Sequence, residues 1–414
     1  LTFARSVGYA VVKKPEGYTT AKVDQIIQEY EKKSANAQQS TAKQYPNIIT
    51  VVNETFADIK VLGDFKTNED YMPYFHSLKK NCVTGYTYAS IVGGQTANTE
   101  FELLTGNTLG FLSAGTTAFQ LYIHGQMPSL VSNLKAEGYS GNKAMHPFNP
   151  YNYNRPAVYK DFGFTDFIDK FDFPKNVKRV REYISDEANV DRIISEYEKN
   201  RKKTDQPFYM YNMTIQNHSP YDKDAANFKQ PIKIESSKYD AEANRYLNLI
   251  KYSDDSLKQL TSYFEKCKEP TIILFLGDHQ PRLTDEFMNK ITNGQYQTWS
   301  SEQMMKRYQV PFVIWANYDI KEQHIEKTSM NYIQSILTQT AGVKMTGYQR
   351  FLNEVRKEVP TITSQGYWGK NGKFYQINDK GSPYYGIIQK YRMIQYNMMF
   401  DKKNRRDSFF EVSK

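Results

Sequence analysis

The chain has 414 residues, 54 of them basic and 45 acidic, for a net charge of +9; it carries 22 glycines and 16 prolines. That length supports one large core with an appendage, and the ordinary glycine and proline content excludes a collagenous or low-complexity protein. The positive excess is too modest and diffuse to argue for nucleic acid, so no nucleic-acid partner is expected; it suits work beside anionic lipid or polymer, or a merely soluble basic surface.

Residues 1–45 read as an entry arm. Val23, Ile26, Ile27 and Tyr30 recur at helical spacing over 20–33, and the polar stretch 34–43 reads as a linker. The main domain begins at the apolar strand 47–53. A helix is expected over 128–137 with Pro128 near its first turn, a short strand over 142–146, a helix over 187–200 and a buried strand over 207–215. Tyr246, Ile250, Leu257, Leu260 and Phe264 fall on one stripe and predict a helix over 241–266. Strand 271–276, strand 310–315 and helix 329–340 follow. This alternation predicts an α/β fold with a largely parallel central sheet flanked by helices on both faces. Residues 346–414 turn rich in Tyr, Lys and Gly and predict a small C-terminal α+β subdomain, with a short sheet and a helix near 384–396. The expected division is 1–45, 46–345 and 346–414.

Cys82 and Cys267 lie far apart and outside any CxxC pair. Two buried free thiols are expected rather than one disulfide, and the lack of a CxxC pair argues against a thiolate metal site. No apolar run approaches the roughly 20 residues that span a bilayer. The chain begins at Leu1 with neither methionine nor signal peptide, as would a fragment whose membrane or targeting portion had been removed.

The run 271–276 ends in Gly277-Asp278-His279. A buried strand that delivers a carboxylate and an imidazole to the carboxyl edge of a sheet is a candidate metal site; the bland alternative is a capped turn with a surface histidine. The run 47–53 ends in Glu54, and this second carboxylate favours the metal. Hard oxygen ligands with one imidazole suit Mn²⁺, Mg²⁺ or Zn²⁺, and the residues do not choose among them. Thr96 follows Gly93-Gly94-Gln95 at the start of a helical stretch, where free backbone N–H groups favour negative charge. Alone it would be an ordinary N-cap. Beside a metal, which would lower its pKa, the hydroxyl becomes a nucleophile. Glu54, Thr96, Asp278 and His279 together predict metal-dependent phosphoryl transfer.

His218 also lies just past a predicted strand. It is a candidate to bind a phosphate oxygen or protonate a leaving alkoxide, or else a satisfied loop histidine. His146, Tyr153 and Arg155 share the segment 145–155. Arg155 offers either a bidentate phosphate grip or a surface salt bridge. Tyr153 offers a stacking face or, like His146, ordinary packing. His76, His124 and His324 stand in no acidic or nucleophilic context and read as structural or solvated.

With these motifs in order, the chain resembles the extracellular catalytic domain of the lipoteichoic acid synthases, within the alkaline phosphatase and sulfatase superfamily. The resemblance rests on Val52-Asn53-Glu54-Thr55-Phe56-Ala57-Asp58, Gly94-Gln95-Thr96-Ala97-Asn98-Thr99-Glu100-Phe101-Glu102, Asn217-His218-Ser219-Pro220-Tyr221 and Gly277-Asp278-His279-Gln280-Pro281. It covers about residues 47–345 and makes them a sulfatase-like catalytic domain. It implies a Mn²⁺ ion held by Glu54, Thr96, Asp278 and His279. Thr96 would attack the phosphorus of phosphatidylglycerol and release diacylglycerol, and the glycerophosphate would pass to a growing polyglycerolphosphate (lipoteichoic acid) chain or glycolipid acceptor. It further implies a glycerophosphate pocket of His146, Tyr153, Arg155 and His218. Tyr153 stands where the best-known members carry tryptophan, and stacking survives that change.

Family members are anchored by N-terminal transmembrane helices. The resemblance thus implies a domain on the extracellular face of the cell membrane, working at the membrane surface. Two other functions compete. One is a hydrolase of the same superfamily, in which water attacks the same intermediate; a sulfatase would need a cysteine or serine where Thr96 stands. The other is a non-catalytic module that binds anionic wall polymer, which predicts a missing ligand or nucleophile.

Overall fold

The structure, a computed structural model, describes residues 12–34, 44–235 and 240–412. The expected linker 34–43 falls almost wholly outside the described residues. Strands β1 (Asn47–Asn53), β2 (Cys82–Tyr88), β3 (Ser140–Met145), β4 (Asp166–Ile168), β5 (Arg179–Val180), β6 (Tyr183–Ile184), β7 (Phe208–Met213), β8 (Thr271–Gly277), β9 (Gln309–Ala316) and β10 (Gln323–Ser329) precede a short C-terminal set, β11 (Thr361–Thr363), β12 (Gly366–Trp368) and β13 (Phe374–Tyr375). β1, β7 and β8 are buried at every position. A strand with no polar face must be covered on both sides, so these three take the middle of the sheet. The eight-stranded sheet runs β10-β2-β9-β8-β1-β7-β3-β4. β9 is antiparallel to both of its neighbours, and every other pair is parallel.

The register of the central strands places the site. Asn53 pairs with Gly277, and Val52 pairs with Met213. The residues that follow, Glu54, Thr214 and Asp278, therefore leave the sheet together at its carboxyl edge. That edge is where ligands collect in folds of this kind.

The flanking helices include α1 (Thr20–Ser34), α2 (Thr96–Thr105), α3 (Leu130–Ala136), α4 (Arg155–Phe162), α5 (Asp186–Arg201), α6 (Ala241–Phe264), α7 (Met330–Thr340), α8 (Gly347–Glu358) and α9 (Tyr385–Met399). The α6 stripe packs as expected: Tyr246, Ile250, Leu257, Leu260 and Phe264 are all fully buried. The expected helix over 128–137 is shorter than its periodicity suggests. Ser129 forms a capping box with Ser132 and starts α3 at Leu130, leaving Pro128 ahead of the cap. The strand expected over 142–146 instead covers Ser140–Met145, and His146 lies beyond it. Cys82 is buried and Cys267 only partly so; both are free thiols.

The C-terminal segment shares the main hydrophobic core, which runs from Tyr18 to Phe410. It also clamps the end of α2. Gln395 of α9 donates from Nε2 to the Thr108 carbonyl (2.9 Å) and accepts the Thr108 N–H (2.8 Å). The Tyr391 hydroxyl donates to the Gly106 carbonyl (2.6 Å). The helix that begins at Thr96 is thus fixed at its far end by a helix almost 300 residues later in the chain.

One expectation about histidines is corrected. His76 does have an acidic context: its Nε2 lies 3.7 Å from Asp58 and its Nδ1 2.7 Å from Asp70. These carboxylates, Asp58 foremost, raise its pKa to about 9. Both acids are close to it only because the chain turns back after β1, which linear sequence does not display.

Gly277, paired with Asn53 at the end of β8, has no room for a side chain. A Cβ there would lie 1.8 Å from the Phe56 carbonyl oxygen, in the turn that follows Glu54. Backbone atoms cannot yield as a side chain can, so Gly277→Ala should cost about 3 kcal/mol of stability, read from urea unfolding of the two proteins.

Candidate active site

The site is built where three strands end. The Glu54 N–H donates to the Thr214 hydroxyl (2.9 Å), which ties β1 to β7. Thr55 turns left-handed, with φ of 56°. Its N–H donates to Asp278 Oδ1 (2.6 Å), and its hydroxyl donates to Glu54 Oε1 (2.7 Å). The His279 N–H also donates to Asp278 Oδ1 (2.8 Å). Asp278 thus spends one oxygen on two backbone donors and aims the other elsewhere.

That other oxygen, Asp278 Oδ2, is buried without a hydrogen-bond partner, and so is His279 Nε2. His279 Nδ1 lies 3.0 Å from the Gln280 carbonyl. A proton on Nδ1 serves that contact and leaves the lone pair on Nε2, as a metal-ligating histidine requires. His279 Nε2 stands 3.2 Å from Asp278 Oδ2 and 3.8 Å from Glu54 Oε1. One ligand atom from each of the three residues falls within 4.8 Å of the others. Buried polar atoms without partners are costly, and a divalent cation beside Glu54 would satisfy both Asp278 Oδ2 and His279 Nε2. Burial, followed by the neighbouring Asp278 charge, raises the Glu54 pKa well above the carboxylate range.

Thr96 arrives from the other side. Gly93, Gly94 and Gln95 all have positive φ, at 67°, 144° and 64°. This tight path presses Gly93 against Arg282, where a Cβ would meet Arg282 Cβ at 3.0 Å. Gln95 holds the N-cap position, so Thr96 is the first helical residue and not the cap. The Thr99 hydroxyl donates to the Asp278 carbonyl (2.7 Å) and joins α2 to the end of β8. Thr96 is buried and lines one cavity with Glu54 and His279.

That cavity, of about 80 Å³, is also lined by His146, Tyr153, Arg155 and His218. Every residue singled out for the site therefore meets here, with Asp278 just behind the wall. Their states differ from the simplest expectations. Arg155 is buried and makes no surface salt bridge: its Nε and Nη2 both donate to Glu100 Oε1, at 3.0 and 2.7 Å. A bidentate phosphate grip is pre-empted by Glu100, and Nη1 makes only a 3.5 Å contact to the Asn152 carbonyl. Glu100 is itself completed by the hydroxyls of Tyr159 and Tyr211. Burial is the largest single influence on the Arg155 pKa and lowers it, but the charge and hydrogen bond of Glu100, with Tyr159 and Tyr211, together outweigh it and raise the pKa.

His146 Nδ1 lies 3.0 Å from the Met213 carbonyl. Burial, with help from Arg155, holds its pKa well below the ordinary histidine range. His218 Nδ1 lies 2.7 Å from the Ser219 carbonyl, and its ring stacks on Phe148 at 6.1 Å between centroids. Tyr153 sits at φ 60° with the Arg155 guanidinium 5.1 Å from its ring centre.

Sequence reasoning missed several residues. Thr55 and Arg282 line the cavity one and three positions beyond named ligands, so closer attention to those neighbours would have found them. Beneath the ligands lies a buried polar network. Asn53 and Ser253 donate to Asp186 Oδ2, at 2.7 and 2.6 Å, and Asn217 donates to Asn53 Oδ1 (3.0 Å) and to the Glu54 carbonyl (3.0 Å). Asp186 and Ser253 lie in α5 and α6, far from any motif, and carry no signal in the linear sequence.

The family model described as Sulfatase matches residues 46–343. The chain is 30% identical over 419 residues to a putative cyclic beta-1,2-glucan modification protein of Rhizobium meliloti, covering 99% of this chain and 63% of that protein. It is 27% identical to the lipoteichoic acid synthase-like YvgJ of Bacillus subtilis, over 56% of this chain and 36% of that one. The chain thus spans less than two thirds of the length of these relatives. The fold is shared with the phosphoglycerol transferase GacH of Streptococcus pyogenes, solved in complex with sn-glycerol-1-phosphate: TM-score 0.77, 20% identity, 97% of this chain and 100% of that chain.

The geometry sets a binding test. Because Glu54 holds a proton more tightly than a free carboxylate, an entering cation must displace that proton. Mn²⁺ affinity should therefore fall as pH drops, and binding should release protons, read by calorimetry in buffers of different ionisation enthalpy. Asp278→Asn should weaken binding by roughly 10-fold or more, and Glu54→Gln should remove the proton release. From the match over residues 46–343, nearly three quarters of its length, the chain belongs to the sulfatase family.

Proposed function

We propose that this domain is a metal-dependent phosphoglycerol transferase that draws its group from phosphatidylglycerol. The observation that carries this is the meeting of Thr96 with Glu54 and His279 in one small cavity, backed by two buried atoms, Asp278 Oδ2 and His279 Nε2, that lack partners. A divalent ion, Mn²⁺ or alternatively Mg²⁺ or Zn²⁺, held by Glu54, Thr96, Asp278 and His279 would supply Lewis acidity that lowers the hydroxyl pKa and offsets charge on the phosphoryl oxygens.

The chain's own residues do the rest. Thr96 Oγ1, its proton lost to solvent, attacks the phosphorus, the bond to the diacylglycerol oxygen breaks, and His218 at the rim gives that oxygen a proton. Arg155 Nη1 offers one hydrogen bond to a phosphoryl oxygen. With Nδ1–H on the Met213 carbonyl, neutral His146 presents Nε2 as an acceptor. It suits a glycerol hydroxyl better than a phosphate oxygen. Tyr153 packs against the glycerol. The glycerophosphoryl-threonine then passes its group to an acceptor hydroxyl, on polyglycerolphosphate or on a glycan. The glycan is supported by the match, along 99% of this chain and 63% of that protein, to a relative named for glucan modification.

No helix among the described residues is long and apolar enough to cross a membrane. We place the domain at the extracellular face of the membrane, beside its lipid donor. Tyr151 and Phe171 are 80% and 74% exposed. Tyr151 directly precedes the cavity residues Asn152 and Tyr153. The Lys170 ammonium lies 5.0 Å from the Phe171 ring and 6.0 Å from that of Phe148, another cavity residue. Amphipathic or aromatic rings next to a cation suit an anionic headgroup layer.

Two outcomes test this. Thr96→Ala should lower Mn²⁺-dependent diacylglycerol release from phosphatidylglycerol by roughly a thousandfold or more; absence of release from metal-loaded parent protein would remove phosphatidylglycerol as donor. The double change Tyr151→Ser, Phe171→Ser should weaken sedimentation with phosphatidylglycerol-containing vesicles by roughly tenfold, while binding of soluble glycerophosphate stays unchanged.

A further inference from the structure

Behind the nucleophile turn lies a second cavity, larger than the first at about 440 Å³. The two share one wall, Gly93-Gly94-Gln95. That wall is open at Gly94, where an added Cβ would meet no atom within 4 Å. The second cavity has the size of a small-molecule site, whereas the catalytic cavity holds only about 80 Å³.

Its lining has a distinctive chemistry. Ser113, Thr116, Ser364, Gln365 and Tyr308 contribute hydroxyls, an amide and a ring face, and no Lys, Arg, His, Asp or Glu among the described residues lines it. The wall is also held in place. Asn98 donates from Nδ2 to Gln95 Oε1 (3.2 Å) and to the Thr116 carbonyl (2.8 Å), and its Oδ1 accepts the Ala118 N–H (2.9 Å). The Ser364 hydroxyl donates to the Ser90 carbonyl (2.8 Å) and joins the opposite side. One helix residue therefore fastens the nucleophile turn to the 113–118 loop.

We infer that this cavity is the acceptor subsite and that it takes a neutral oligosaccharide. The inference rests on the transferase function proposed above and names its acceptor class. A polyglycerolphosphate chain would bring phosphates into a cavity with no cation to meet them, and an uncompensated charge is costly to desolvate. A sugar brings hydroxyls that the lining amides and hydroxyls can pair with, and an apolar ring face that Tyr308 can cover. The sugar body rests in the second cavity, and one hydroxyl reaches over the Gly94 lip to the phosphorylated Thr96. The new sugar oxygen–phosphorus bond forms as the Thr96 Oγ1–phosphorus bond breaks. The electron pair returns to the threonine oxygen, and the proton lost by the sugar hydroxyl replaces the phosphorus there.

Ala114 lines this cavity and is exposed, so Ala114→Trp fills the space without disturbing the core. The parent protein and this variant are compared with two probes, a β-1,2-linked glucose oligosaccharide and an oligoglycerolphosphate of similar length. Binding is followed by saturation-transfer NMR and transfer by labelled glycerophosphate on the product. The glucose oligosaccharide should bind the parent, and binding and transfer should both fall at least tenfold in the variant. The first turnover of diacylglycerol release, followed without acceptor, needs only the first cavity, which Ala114 does not line, and should keep its rate. Equal sugar binding by parent and variant, no sugar binding by the parent, or displacement of the sugar by the oligoglycerolphosphate would each overturn the assignment. If the parent releases no diacylglycerol, the donor proposal fails on its own, and the binding comparison still decides the subsite.

Discussion

Two carboxylates and an imidazole are buried against one another where β1 and β8 end, and their unbalanced charge is the constraint around which the domain is organised. Glu54, Asp278 and His279 are each at most 3% exposed. Burying ionised groups costs several kcal/mol each unless partners compensate. The protein compensates in part: Thr55 serves both carboxylates, and Asp278 Oδ1 takes two backbone donors. It leaves Asp278 Oδ2 and His279 Nε2 aimed at one another without hydrogen bonds. The unsatisfied remainder has the shape and sign of a cation site.

Holding such a remainder in place needs a stiff support. The Asn53, Asp186, Asn217 and Ser253 network links β1, the 214–218 segment, α5 and α6 directly beneath the ligands. Burial raises the Asp186 pKa, opposed by its three hydroxyl and amide donors. Networks of this kind add rigidity only when nearly all their members are paired. Gly277 contributes by absence, since only a hydrogen fits beneath the Phe56 carbonyl. On the other side, α9 clamps the loop after α2, and Thr99 ties α2 to Asp278. The nucleophile and the ligands are thereby set against one another from independent elements.

Arg155 shows how a buried charge can be reserved for a single contact. Glu100 occupies two of its nitrogens, and the hydroxyls of Tyr159 and Tyr211 complete the carboxylate. The pair is neutral as a unit, so the cation can sit at full burial without a pKa collapse. It faces the cavity with directional precision and little net charge. Charge in the catalytic cavity then comes from the ligand set and from Arg282, and the adjoining cavity has none among its described lining residues.

Much of this was legible in the linear chain. Apolar-rich runs read as buried strands at β1, β7 and β8, because a strand without a polar face can only be covered twice; that these three take the middle of the sheet came from the structure. The residues that follow those runs, Glu54, His218 and Asp278-His279, fall at the carboxyl edge by the same logic. The Gly93-Gly94 pair announces a left-handed turn before Thr96. Local pattern was enough there because the causes are local: side-chain alternation, strand ends and glycine freedom. Tertiary structure alone decided the rest. It put Asp58 and Asp70 beside His76, gave Arg155 to Glu100, made Gln95 and not Thr96 the helix cap, and gathered Asp186 and Ser253 under the ligands. It also opened a second, uncharged cavity between segments around residues 90, 114 and 364. Those outcomes depend on which distant groups share one buried volume and compete for the same hydrogen bonds, and that competition exists only once the chain has folded.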